Sequence, residues 1–460
     1  MSGNAHQIGV NKVTKAYHSP RISSEFCDCS LPLTFDHYSK CGFGCQYCFS
    51  AQFSKSNPAV KGRNDLGAVK IEKLIDIMSG KYPDNPYYQN FFKHRFILHW
   101  GGLTEPFCSI ESEVGEGYKL LEYLADVKYP TVFSSKGYCL FLGNKKHKHY
   151  EKLFADNAKY KNFMFAHSII VDSDATASKI EPNTPSTTDR IRSMKTLSDM
   201  GYWNILRLRP FMIGISDVGL ENMMHRCADA GAKAISTEFF ALDNRCVALL
   251  DENMKEIDKI TGFNTFDYLK KLSPTERGGY MRGNRDAKES FVKRLYKTCL
   301  ETGMQFNISD PDYKELNMSD SCCGLPEKYP ENPEMENYTR GQLTGHLRRL
   351  RRRYWQSGGT DKILTFDMVE KDIANNWMSD PRYYGDSIKC WQIDYGIKTG
   401  HKKELMNTWN NLRSAACPYN YFHGKIKPIG KDERDMLIYE YVPHPYEYRW
   451  QKEGIDLTKE

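Results

Sequence analysis

Apolar and polar positions alternate in blocks along residues 31–310 of this chain. Phe96-Ile97-Leu98-His99-Trp100 is a near-continuous apolar run that ends at Gly101-Gly102. A run this short, closed by glycines, predicts a strand buried on both faces. The same pattern predicts strands at 131–134, 163–171, 203–208 and 233–237, the 203–208 strand stopping before Pro210. Between the strands the spacing turns helical. Leu66, Val69, Ile71, Leu74, Ile75 and Met78 predict a helix over 65–79, and Gly80 suits the position just past its end. Further helices are predicted over 114–126, 148–157, 187–200, 217–230 and 287–302, with a last strand at 305–309. Strand and helix alternating at this pace imply βαβ units and a parallel sheet. Right-handed crossovers then curl the sheet. The expected fold class is α/β, a parallel barrel or partial barrel with a C-terminal extension. In such barrels chemistry sits at the C-terminal strand ends.

The pattern also divides the chain. Residues 1–30 are polar and irregular, an N-terminal segment before a core at 31–310. Residues 240–285 break the rhythm and read as an insertion. From 311 the alternation is lost, and KYPENPEMENY carries several prolines. Residues 311–460 are therefore expected to form an extension over the barrel mouth. At 460 residues the chain can bury one large core or two modest ones. Aromatics at 13% argue against a disordered chain. No run approaches the length of a membrane span, and the first residues lack the apolar stretch of a secretory signal. Fourteen cysteines are too sparse for a disulfide scaffold. A reducing cytoplasm is the expected setting, that of the host cell if the chain is phage-encoded. A net charge of +6 permits nucleic-acid binding without requiring it.

The chemistry concentrates in Cys41-Gly42-Phe43-Gly44-Cys45-Gln46-Tyr47-Cys48. Three cysteines stand at C-x3-C-x2-C. Thiolates are soft ligands suited to iron–sulfur clusters. One short loop can supply three sulfurs and leave a fourth iron open to a small ligand. Structural zinc wants four ligands, and no second C-x2-C or H-x3-5-H unit stands at a suitable distance; His37 keeps a Cys3His zinc site open. Cys27-Asp28-Cys29 has no common ligand spacing, and Cys390 and Cys417 give no signal of a second cluster. Gly101-Gly102-Leu103-Thr104-Glu105-Pro106-Phe107 follows a predicted strand directly. Its glycines let backbone approach a ligand, and Glu105 can accept hydrogen bonds from an ammonium group. The plainer alternative is a tight turn with a solvated glutamate.

C-x3-C-x2-C with Tyr47 before the last cysteine, and GG-x-TEPF after the next strand, resemble the radical S-adenosylmethionine (radical SAM) superfamily. The closest likeness is to the branch that contains spore photoproduct lyase. Ile180-Glu181-Pro182-Asn183-Thr184-Pro185 with Thr188-Asp189-Arg190-Ile191, and Phe211-Met212-Ile213-Gly214-Ile215-Ser216-Asp217, match that branch more loosely. The resemblance spans about residues 31–240 and implies that the α/β fold is a partial (β/α)6-type parallel barrel. It implies a [4Fe-4S] cluster on Cys41, Cys45 and Cys48, with Tyr47 near the adenine of S-adenosylmethionine. It implies that Gly101, Gly102, Thr104 and Glu105 receive the methionyl amine. Ser134, Ser135, Lys136, Ser168, Arg207 and Glu238 stand at other strand ends. Lys136 or Arg207 would pair with the cofactor carboxylate, and Ser168 and Glu238 would reach ribose hydroxyls. An external one-electron reductant such as flavodoxin or ferredoxin would drive cleavage of the S–C5′ bond and hydrogen abstraction from a C–H group. In the lyase a cysteine thiol returns a hydrogen atom. Cys322 and Cys323 are the candidates here, beside tyrosines and the alternative of two buried structural thiols.

His346 to Trp355 holds the densest charge run, with Arg348, Arg349, Arg351, Arg352 and Arg353. Such a run would grip phosphates and stack on bases, or form a solvated helix face. The leading expectation is a radical SAM isomerase or lyase acting on a thymidine-derived base in DNA, by thymidine hypermodification or C–C cleavage. One alternative is a radical SAM enzyme acting on a small metabolite or peptide. Another is a non-catalytic, zinc-stabilised nucleic-acid-binding protein.

Overall fold

The computed structural model describes residues 13–23, 29–48, 50, 66–273, 280–376, 401–414 and 416–459. Cys27 and Cys390 lie outside them. Seven strands form the central sheet. These are β1 (Arg21–Ile22), β2 (Leu33–Phe35), β3 (Leu98–Trp100), β4 (Thr131–Ser135), β5 (Phe163–Ser168), β6 (Trp203–Phe211) and β7 (Ala232–Phe239). Their order in the sheet is their order in the chain. β1 is antiparallel to β2, and all other pairs are parallel. A sheet that grows in one direction only is a barrel wall, where a doubly wound sheet would reverse. Residues 305–308 continue it through parallel bridges from Ala234 to Gln305 and from Thr237 to Ile308.

The crossover helices include α1 (Ile71–Met78), α2 (Glu116–Asp126), α3 (Lys148–Asn157), α4 (Thr187–Asp199), α5 (Leu220–Asp229) and α6 (Arg285–Thr302). Three of the boundary differences have a plain physical reason. Leu66–Val69 is a strand paired in parallel with Val13–Ala16, so the helix begins only at Ile71. The apolar residues of two elements had merged into one apparent period. Gly115, at φ +65°, separates a short helix, Ser109–Val114, from α2. β6 runs on through Pro210 to Phe211. Its pairing with β7 jumps from Leu208–Thr237 to Phe211–Phe239, so the ladder never asks Pro210 for an N–H. The 240–285 region holds two helices, Asn244–Thr261 and Thr265–Leu272.

The sheet is buried on both faces, as its continuous apolar runs require. On the outer face Leu98, Trp100, Phe133, Phe163 and Phe165 pack on Leu120, Leu121 and Leu124 of α2, Phe154 of α3 and Leu197 of α4. The residues that alternate with them point inward. There Ile97, Val132 and Met164 meet Leu325, Tyr329 and Met335. Trp203 Nε1 donates to the Gly324 carbonyl (3.1 Å), and Ser30 and Ser321 hydroxyls lie 2.8 Å apart. Residues 321–335 of the C-terminal extension therefore fill the inner face at the N-terminal ends of the strands.

The rest of the extension contains α7 (Leu343–Gln356) and a three-stranded antiparallel sheet of Ile363–Leu364, Leu437–Tyr441 and Ile426–Lys431. α7 carries the arginine run, and here the structure overturns a sequence expectation. Arg348, Arg351 and Arg352 are fully buried. Arg348 is paired with Asp320 and, at 2.5 Å, with Glu327. Arg349 reaches Asp320 (2.7 Å) and Asp372 (2.8 Å). Arg351 is paired with Glu447, and Arg352 donates to the Leu457 carbonyl. Arg353, half-exposed, binds Asp372 at 2.8 Å. The first four are internal struts, because a charge taken out of water must find a partner, and Arg353 lies at the edge of the same cluster. They do not form a phosphate-gripping surface. Among the described residues no helix is long and apolar enough to cross a membrane.

Candidate active site

The cysteine loop follows β2 and rests on the segment after β5. Gln46 N donates to the Ile180 carbonyl (2.9 Å), and Asn183 Nδ2 donates to the Gly42 carbonyl (3.2 Å). Beneath it lies a buried charge cluster. The Tyr47 hydroxyl donates to Glu181, Arg190 Nη2 lies 2.5 Å from Glu181 Oε2, and Lys136 Nζ lies 3.7 Å from Glu181 Oε1. Burial alone would raise the Glu181 carboxyl; Arg190 and Lys136 outweigh it and hold it below the usual range. Burial, then Glu181, push the Tyr47 phenol up, so it stays a neutral donor. The 180–191 segment is visible in the sequence as a motif, but the roles of Glu181 and Arg190 are not. Their signal was a lone acid and a lone base within one motif.

Two glycines shape the next wall. Gly101 has φ +99°, and a Cβ there would stand 2.3 Å from the Ser134 carbonyl oxygen. A Cβ on Gly102 would stand 2.2 Å from Thr34 Cγ2. The turn is thus pressed against β2 and β4, and only glycine fits. Glu105 accepts from Phe107 N (3.0 Å), Lys136 N (2.8 Å) and the Ser135 hydroxyl. Its carboxylate ties the loop after β3 to the loop after β4, which leaves little acceptor capacity for an ammonium group. Thr104 is held likewise, its hydroxyl donating to the Tyr38 carbonyl at 3.0 Å.

These walls enclose a cavity of about 350 Å³ at the C-terminal ends of the strands. Cys41, Cys45, Cys48, Tyr47, Gly101, Gly102, Thr104, Glu105, Ser134, Lys136, Ser168, Arg207 and Glu238 all line it. Sequence reading missed Arg209, Arg282, Phe239 and Phe240, which line it too. Arg209 lies one residue past the predicted end of the strand, which Pro210 marks in the sequence. Cys322 and Cys323 do not line it. Their sulfurs are 3.9 Å apart, and the Cys322 carbonyl accepts from Arg209 Nη2 (2.5 Å) and the Ser236 hydroxyl (3.0 Å). The pair sits behind Arg209. The Cys322 contact, with help from Arg209, holds the Cys323 thiol below its ordinary value against burial.

The donor set fits an iron–sulfur cluster better than zinc. His37 is fully used, its Nε2 against Glu111 (3.2 Å) and its Nδ1 accepting from Trp100 Nε1 (3.0 Å). It is no fourth ligand. Among the described residues no three His, Cys, Asp or Glu side chains converge on a single-ion site. A cubane needs no such convergence, since each sulfur binds a different iron. Burial pushes the Cys41 thiol up to about 12 and the Cys45 thiol higher, so a cationic group must come with any thiolate formed there.

The chain is similar in structure to spore photoproduct lyase. A cysteine-to-serine variant of that protein matches with TM-score 0.47 at 11% identity, over 67% of this chain and 86% of that one. A form with bound AdoMet and dinucleoside spore photoproduct matches with TM-score 0.45 at 12% identity, over 66% and 85%. Streptococcus suis SuiB bound to precursor peptide SuiA matches with TM-score 0.31 at 14% identity, over 62% and 59%. No family model and no curated protein matches the sequence.

Proposed function

We propose that the protein is a radical SAM enzyme acting on a thymidine-derived nucleotide of DNA, as an isomerase or a lyase. Cys41, Cys45 and Cys48 would hold a [4Fe-4S] cluster, and the adjoining cavity would hold S-adenosylmethionine. The supporting observation is that the three cluster cysteines and ten of the eleven cofactor-side positions chosen from sequence line one cavity, Ser135 instead donating to Glu105. When bound, the pair supplies one-electron cleavage of a sulfonium C–S bond and hydrogen abstraction from an unreactive C–H group. The protein's own residues bind and orient. Gly101 and Gly102 admit a ligand against backbone. Ser134, Ser168 and Glu238 offer polar groups to a ribose. Phe239 and Phe240 keep water from the reacting centre. The electron would come from an external carrier such as flavodoxin or ferredoxin.

Anaerobic reconstitution tests the reading. We expect about four irons and four sulfides per chain, and 5′-deoxyadenosine by mass spectrometry after reduction with S-adenosylmethionine. Cys41→Ala, Cys45→Ala and Cys48→Ala should each abolish both. Zinc in place of iron, or nucleoside release that survives these substitutions, would overturn it. Burial of the arginine run favours a second reading, in which the substrate is a free small molecule or peptide. Thymidine-modified DNA that fails to raise turnover, where a free nucleoside or peptide succeeds, would select it.

A further inference from the structure

The cavity carries more positive than negative charge. Lys136, Arg207, Arg209 and Arg282 line it against Glu105 and Glu238. Some of these groups are already engaged. Lys136 faces Glu181, and Glu105 is taken up by Phe107, Ser135 and Lys136. Arg209 lies 3.6 Å from Glu238 and gives Nη2 to the Cys322 carbonyl, but its buried Nε has no partner. Arg207 stands two residues earlier on β6, on the same face. It makes no hydrogen bond or ion pair with any described residue. The Cys322–Cys323 pair and Glu238 favour its charge from a distance, but none of them bonds it, and a guanidinium drawn from bulk water with its donors unbonded is costly unless a ligand supplies the anion. Burial, then Arg209, pull its pKa down to about 10, so it is still a cation at neutral pH.

We infer that Arg207 and Arg209 form an oxyanion subsite that takes a phosphate of the substrate. Two adjacent forked donors match phosphate geometry. The cofactor's methionyl end is expected beside the cysteine loop, Gly101 and Lys136, on the β2–β4 side. β6 lies two strands beyond β4, roughly 10 Å at ordinary strand spacing. The Arg207 charge does reach towards His99 on β3, so the S-adenosylmethionine titration below, rather than strand spacing alone, separates the anion facing β6 from the cofactor carboxylate. The choice of phosphate rests on the nucleotide reading above.

Binding titrations on the full-length protein test this without turnover, using thymidine 5′-phosphate, thymidine and S-adenosylmethionine as probes. The native chain should prefer the nucleotide over the nucleoside by about tenfold or more at low salt. Arg207→Gln should cut that preference to about threefold or less, with S-adenosylmethionine affinity unchanged within about threefold. Arg207→Lys, which keeps the charge but not the fork, should give an intermediate preference, and the unchanged S-adenosylmethionine affinity of Arg207→Gln shows that its loss is not misfolding. Equal binding of nucleotide and nucleoside by the native chain would overturn the subsite. So would an Arg207→Gln chain that loses S-adenosylmethionine but keeps its nucleotide preference, which would hand Arg207 to the cofactor carboxylate. If 5′-deoxyadenosine forms yet no preference is seen, the subsite falls and the enzyme reading stands. If iron is absent yet the preference is seen, the reverse holds.

Discussion

Glu181 holds the cysteine loop from below. It has no exposed surface, and its partners Arg190, Lys136 and Tyr47 come from three other places in the chain. Glu181→Gln should lower unfolding free energy by about 3–5 kcal/mol in urea melts, because Arg190 is left buried without its counter-ion. Its folded pKa is depressed, so its contribution is present above the ordinary carboxylate range and fades as pH falls through the lowered value. Gly101→Ala should weaken S-adenosylmethionine binding by about tenfold or more. The obstacle to its Cβ is the Ser134 backbone, which cannot swing aside. Titration with the cofactor checks this. At this scale the sequence was most readable where one residue type is obligatory. A thiol triplet at fixed spacing and a glycine pair after a strand each have few alternative meanings. Arg190 and Glu181 were not readable, because their meaning lies in each other.

α7 shows the opposite limit. Its arginines have no acidic residue beside them in sequence, which made them look like a solvated or nucleic-acid-binding face. Their acids arrive from Asp320, Glu327, Asp372 and Glu447. Arg348→Ala should therefore cost about 3–5 kcal/mol of stability, with no change in the salt dependence of any DNA binding by the folded protein. Calorimetry and a salt titration separate the two effects. Burial opposes ionisation of Asp372, but the hydrogen bond from His346 and the charge of Arg349 hold it at about 2. That stabilisation, about 2 kcal/mol, should be intact above about pH 4 and lost as pH falls to about 2. An Asp372→Asn chain should be less stable at neutral pH and lack that part of the acid transition.

Across the whole molecule, the extension belongs to the barrel's own core. Leu325, Tyr329 and Met335 cover Ile97, Val132 and Met164, and the Cys322 carbonyl fixes Arg209 at the cavity wall. A chain ended at residue 310 would expose that apolar inner face. We expect it to aggregate or to lose cooperative unfolding, read by gel filtration and circular dichroism. Retention of a monomeric, cooperatively melting core would contradict this role for residues 321–335.

The order of strands and helices, and the three thiols on one glycine-rich loop, were written in the chain itself. They depend on periodicity and on neighbours a few residues away. Which cations are neutralised and which face a cavity was decided only by the folded structure. Charge pairing depends on distance in space, and chain separation says little about it. Arg348 folds onto Asp320, whereas Arg207 folds onto open cavity.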